Sequence, residues 1–150
     1  MSDANPATLE DHIGYWLRIV SNATSQGFAR KVEAQGVTVA EWAFMRVLYD
    51  VDACAPSELA MAMGMTRGAI SKLADRLVEK GFVARSGDLA DGRAKQLSLT
   101  PAGRAKVPAL AALADANETE FFGALSDGDK ASLERILRTL AAGRGTVPVD

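Results

Sequence analysis

Arg67, Gly68, Ser71, Lys72, Asp75, Arg76 and Glu79 recur at three- and four-residue steps, which places them on one face of a helix. Ile70, Leu73, Ala74, Leu77 and Val78 take the other face. The polar face carries donors suited to a nucleic acid. Arginine and lysine match the paired O6 and N7 acceptors of guanine, and serine can donate or accept at a base edge. Arg67, Ser71 and Lys72 sit near the helix start, where a helix laid in a major groove reaches the bases. Thr66 can meet a phosphate from the cap position, and Arg76, a turn later, suits the backbone. A lone arginine in a polar loop, Arg93, fits a narrow A·T-rich minor groove, and Lys95 a phosphate. The plainer reading is a solvated face on which Asp75 or Glu79 pairs with Lys72 or Arg76.

Such residues need a scaffold, and its elements show in the hydrophobic period. Leu9, Ile13, Trp16, Leu17, Val20 and Phe28 predict one long amphipathic helix from Thr8 to about Glu33. Thr38 with Glu41 three residues on reads as a capping box opening a second helix, Val39 to about Asp50, apolar nearly all round and therefore buried. Pro56 starts a short third helix to Met63, with Met61, Met63 and Met65 as core filling around the following turn. Thr66 caps the fourth helix, which runs to Lys80 and is stopped by Gly81. The period then changes to two: Phe82–Arg85 and Gln96–Thr100 predict a β-hairpin around a loop, Ser86–Arg93. Pro101 begins a fifth helix that is interrupted or shifted at Pro108, and Ser126 caps a sixth that ends at Gly143, with Thr146–Asp150 frayed. Two helices joined by a tight glycine turn and followed at once by a hairpin make a winged helix-turn-helix. The fold class is mainly α with a small β-hairpin wing.

At 150 residues the chain is one domain that buries roughly two-thirds of its unfolded surface. With 48% apolar and 24% charged residues it has globular composition, and no apolar run approaches membrane-helix length. The N-terminus does not read as a signal peptide, and a single cysteine, Cys54, fits a reducing cytoplasm. One cysteine and one histidine leave too few ligands for the usual zinc sites, so no metal or cofactor is expected. Glu118 and Glu120 stand two apart on a helix and face different ways, and no phosphate-cradling glycine loop or nucleophile elbow is present, so no enzyme is predicted. The net charge of −2 hides an asymmetry. From Ala55 to Lys106 nine Lys and Arg face five acids, whereas the remainder carries eight bases and fourteen acids. A basic middle between acidic ends is what a localised phosphate-facing surface looks like.

Asp91-Gly92-Arg93-Ala94-Lys95-Gln96-Leu97-Ser98-Leu99-Thr100-Pro101-Ala102-Gly103 resembles the wing signature of the MarR family of bacterial transcription regulators. In that signature an Asp-x-Arg precedes an apolar strand, Leu-Thr and commonly a later Gly. Ser57-Glu58-Leu59-Ala60 and Leu77-Val78-Glu79-Lys80-Gly81-Phe82-Val83 are similar to the family's helix-turn-helix and the start of its wing. Ala55 departs from the pattern, since Thr or Ser is frequent there, at a cost of ~1 kcal/mol at most. The resemblance runs from the first helix to the sixth. It implies a homodimer held by terminal helices (about 8–35 and 108–143), with a DNA-binding part at about 38–106. It also implies DNA contact by Ser57, Thr66, Arg67, Gly68, Ser71, Lys72, Arg76, Arg93 and Lys95, with Asp91 supporting Arg93. The expected function is a ligand-responsive repressor, cytoplasmic and nucleoid-associated, on a pseudo-palindromic operator. Its half-sites would lie about 34–36 Å apart.

Family members that respond to small aromatic or phenolic anions bind them between the first, second and fifth helices. By that resemblance His12, Tyr15 and Trp16, with Trp42, supply ring faces and polar tips, and Arg46 a carboxylate clamp. Core or dimer packing of the aromatics, with Arg46 paired to Glu41 or Asp50, is the alternative. Cys54 has no neighbouring cation in sequence and reads as a small buried thiol. The rival function is a chromosome-architectural or helical interaction protein, which would bind DNA by charge without sequence preference.

Overall fold

The computed structural model describes residues 5–87 and 95–144. Among them a 3₁₀ turn, Leu9–Asp11, precedes helices α1 (Ile13–Glu33), α2 (Val39–Tyr49), α3 (Pro56–Met63) and α4 (Arg67–Glu79). Strands β1 (Val83–Ser86) and β2 (Gln96–Leu99) follow, then α5 (Pro101–Phe122) and α6 (Asp127–Ala142). The antiparallel register sets Val83 opposite Leu99 and Arg85 opposite Leu97. The fraying expected at Thr146–Asp150 and the roles expected of Asp91 and Arg93 lie outside the described residues.

Two expectations about the long helices need correction. The first helix does not begin at Thr8, because Thr8 and Asp11 satisfy each other. The Thr8 N–H and hydroxyl both reach the Asp11 carboxylate, at 2.8 and 3.0 Å. That local box closes a short turn, and His12 ends it in an extended conformation before α1 starts. The break expected at Pro108 is absent, and α5 runs through it. The proline removes one N–H and strands the Arg104 carbonyl, but both residues are exposed and water can serve that carbonyl.

Helix α2 is the centre of the molecule, packed against α1, α3, α4, α5 and β2. Phe44, Met45 and Leu48 are fully buried there with Leu59, Ile70, Leu77 and Leu110. Its capping box is only half formed. Thr38 Oγ1 accepts from the Glu41 N–H at 3.1 Å, but the Glu41 carboxylate turns inward, 1% exposed. It accepts from Lys80 Nζ at 2.7 Å, and Lys80 also donates to the Gly36 carbonyl at 2.9 Å. One lysine therefore ties the end of α4 to α2 and to the turn after α1. Lys80→Met leaves that carboxylate buried without its cation and is expected to cost about 3 kcal/mol, the low end for breaking a buried pair because Lys80 is itself partly exposed. Adding Glu41→Met should recover most of the loss. Thermal unfolding of the four-member cycle checks this, and a single Lys80→Met variant that melts like wild type contradicts it.

Cys54 contributes something the sequence period does not show. Its N–H and carbonyl both exchange hydrogen bonds with Leu97, each at 2.9 Å, adding a one-residue rung beside β2. The rung fixes the approach to α3, whose cap residue Ala55 makes no side-chain hydrogen bond. Met63 and Met65 pack against the core as expected, but Met61 is 83% exposed and fills nothing in this chain. The terminal helices are apolar without being covered. Ile13, Trp16, Leu17, Ile19 and Val20 on α1, and Ile136, Leu137 and Leu140 on α6, are all exposed. No residue of α6 is buried.

Candidate nucleic-acid interface

Helix α4 forms where the sequence places it because both ends are chemically marked. Thr66 Oγ1 accepts from the Ala69 N–H at 3.2 Å, and Gly81 leaves the helix with φ +82°. Ile70, Leu73, Ala74 and Leu77 are buried, which turns Arg67, Gly68, Ser71, Lys72, Asp75, Arg76 and Glu79 to the outside. Successive four-residue steps split that outer face into two ridges, Arg67–Ser71–Asp75 and Gly68–Lys72–Arg76.

A groove flanks each ridge. On the α2 side a cavity of about 540 Å³ is lined by Ala40, Met65, Thr66, Gly68, Lys72 and Arg76. On the hairpin side one of about 370 Å³ is lined by Pro56, Ser71, Asp75, Arg85, Lys95 and Leu97. Lys95 and Ser71, distant in sequence, thus border one groove. Ser57 is exposed at the start of α3, beside Glu58 and Met61. Arg85 is the site residue that sequence reasoning missed: it pairs with Asp75 at 2.5 Å, joining hairpin to helix. Ten residues separate the two across different elements, so no helical or strand spacing announces the pair.

The aromatic group is not brought together within one chain. Tyr15 and Trp16 meet edge-on at 5.3 Å, and Trp16 Nε1 donates to the Glu10 carbonyl at 2.9 Å. Trp42 instead packs edge-on against Phe28 at 6.3 Å. Phe28 is twelve residues beyond Trp16 on α1, about 18 Å along the axis. His12 is exposed at the start of α1, and Arg46 pairs with Asp50 at 2.8 Å and lies 5.7 Å from the Tyr49 ring. Arg104 approaches the same ring at 5.1 Å and donates to the Tyr49 carbonyl at 3.1 Å.

Cys54 is buried, as expected. Burial pushes its thiol above the ordinary range, and the hydrogen bond to Glu58 and that carboxylate's charge push the same way. The thiolate is the reactive form, so near neutral pH Cys54 should react more slowly with an aromatic disulfide reagent than an unfolded cysteine does. Glu58→Gln should speed it. A native rate equal to the unfolded one contradicts this.

The sequence profile of the MarR family matches residues 35–94, from the turn before α2 into the hairpin. A protein described as the putative transcriptional regulatory protein for the hcr operon in Thauera aromatica is 31% identical over 137 residues, spanning 89% of this chain and 81% of that one. The crystal structure of the MarR family transcriptional regulator SPO1453 from Silicibacter pomeroyi is 32% identical, with a TM-score of 0.72 over 90% of this chain and 96% of that chain. The chain belongs to the MarR family. Its winged helix-turn-helix is thereby that of a DNA-binding transcription regulator. The MarR fold extends to more distant structures. BpsR from Bordetella bronchiseptica, whose DNA binding is regulated by 6-hydroxynicotinic acid, is 24% identical with a TM-score of 0.80, over 91% of this chain and 97% of that one. Among the described residues of this MarR chain no helix is long and apolar enough to cross a membrane.

Proposed function

We propose that this MarR regulator is a homodimeric repressor that grips a pseudo-palindromic operator and leaves it when a small aromatic or phenolic anion binds. The observation that carries the reading is the separation of two exposed surfaces. The basic face of α4 is polar and grooved on both sides, while the large exposed apolar side chains concentrate on α1 and α6. In this reading α1, α5 and α6 pair with a second copy, and each copy presents one α4. Arg67, Ser71 and Lys72 read base edges or hold the adjoining backbone. Thr66, Arg76, Lys95 and Ser57 hold phosphates, Gly68 allows close approach, and the wing signature assigns Arg93 to the minor groove, with Asp91 in support.

The anion site would be completed across the dimer, since Trp16 stands apart from Trp42, which packs on Phe28, in one chain. BpsR, regulated by an aromatic acid, supports the ligand class. A ligand that prefers a dimer with misplaced α4 helices lowers operator affinity by its differential affinity for that state.

Leu137→Asp/Leu140→Asp tests the arrangement. Because Leu137 and Leu140 are exposed and no residue of α6 is fully buried within the chain, the variant should keep wild-type helix content by circular dichroism. It should sediment as a monomer and lose duplex affinity by about 10²-fold or more, since linked half-sites gain that much by avidity. A monomer that binds as tightly as wild type, or a variant that stays dimeric, overturns the proposal.

A further inference from the structure

The ridge of α4 that faces the hairpin carries an acid among the proposed DNA-contacting donors. Asp75 follows Arg67 and Ser71 at four-residue steps and shares its groove with Ser71 and Lys95. A bare carboxylate there would repel the phosphates that Lys95 attracts. It is not bare: Arg85, from β1, reaches it at 2.5 Å, with the Arg85 side chain 33% and the Asp75 side chain 66% exposed. A pair this exposed adds little to folding, so holding the fold together does not account for it. Its position offers another account. Arg85 is a cation at the rim of the groove between helix and wing whose charge is already engaged by Asp75.

We infer that Asp75 is a specificity-determining residue: by neutralising Arg85 it withholds one phosphate contact per subunit and keeps sequence-independent binding weak. This rests on the DNA-binding reading above. Phosphate contacts supply nearly all of non-specific affinity and little discrimination, so removing one raises the ratio of specific to non-specific binding. An uncharged residue in its place has the opposite effect. In Asp75→Asn the amide no longer holds the guanidinium, and Arg85 becomes free to engage the backbone.

The inference is tested by the salt dependence of binding to a mixed-sequence duplex, measured by fluorescence anisotropy for wild type, Asp75→Asn, Arg85→Ala and the double variant. Asp75→Asn should bind about tenfold tighter near physiological salt. Its plot of log affinity against log salt should be steeper by roughly two, one new phosphate contact for each subunit of a dimer. The double variant should return to the wild-type slope, which separates a freed Arg85 from the mere loss of a negative charge. Unchanged slope and affinity in Asp75→Asn overturn the inference. So does weaker binding in both single variants, which would make the pair a strut that positions the wing. A wild-type protein with no salt-dependent duplex binding overturns the DNA-binding reading itself, whatever the variants do.

Discussion

Arg67→Ala is expected to lower operator affinity by about 100-fold and to relax discrimination at one base position of each half-site. Arg67 is the first residue of α4, exposed, and set beside the Thr66 cap, at the end of the helix that the proposed docking puts first into the groove. One bidentate contact to guanine is worth about 1–3 kcal/mol, and a homodimer loses it twice. The fold should not suffer, because Arg67 is exposed and the cap bond belongs to Thr66 and Ala69. Arg76→Ala is the contrast. Loss of a phosphate contact should weaken all sequences alike and flatten the salt slope by about 1 per subunit. Competition binding to single-base operator variants distinguishes the two patterns. An Arg67→Ala protein with wild-type affinity and discrimination would remove that residue from the interface.

Gly103→Ala should be a highly damaging small substitution. A Cβ at Gly103 would stand 2.1 Å from the Phe82 carbonyl oxygen and 2.9 Å from its carbon. Neither can move aside cheaply, because they are backbone at a crowded junction. The Phe82 oxygen accepts from the Thr100 N–H at 3.0 Å. Thr100 Oγ1 donates to the Gly81 carbonyl at 2.6 Å while accepting from the Gly103 N–H at 3.1 Å. Relieving the clash means lifting α5 off the start of the hairpin and breaking this set. We expect a loss of about 3 kcal/mol, the upper range for overpacking, and a fall in unfolding temperature of roughly 10 °C. Gly14→Ala is the control: nothing lies within 4 Å of its Cβ, and the higher helix propensity of alanine should leave stability unchanged or raise it by up to ~1 kcal/mol. Equal melting of Gly103→Ala and wild type would contradict the packing.

The same junction shows which parts of the molecule are legible in sequence. Leu-Thr-Pro-x-Gly stands out as a motif because each residue acts locally. Thr100 caps, Pro101 takes the first helical position, and Gly103 permits backbone contact. Helices α2, α3, α4 and α6 are readable for the same reason, since caps and periods are short-range. Long-range pairing is what the sequence does not reveal. Glu41 satisfies the spacing of a capping box yet is claimed by Lys80, 39 residues away. Cys54 reads as a thiol, but its backbone is what matters, bridging to Leu97. Arg85 and Asp75 lie on different elements, and only the fold joins them. The aromatic group shows a different limit. Helical spacing says which residues share a face, but α1 is long enough to hold Trp16 well away from Trp42, which meets Phe28 instead.

The most direct test is selection from a randomised duplex library by the wild-type protein at near-physiological salt. Two copies of α4 related by a two-fold axis should enrich a pseudo-palindrome whose half-sites are centred about one helical turn apart, roughly 10–10.5 base pairs. Salt-dependent binding with no enriched motif would contradict that account and leave a protein that holds DNA by charge alone.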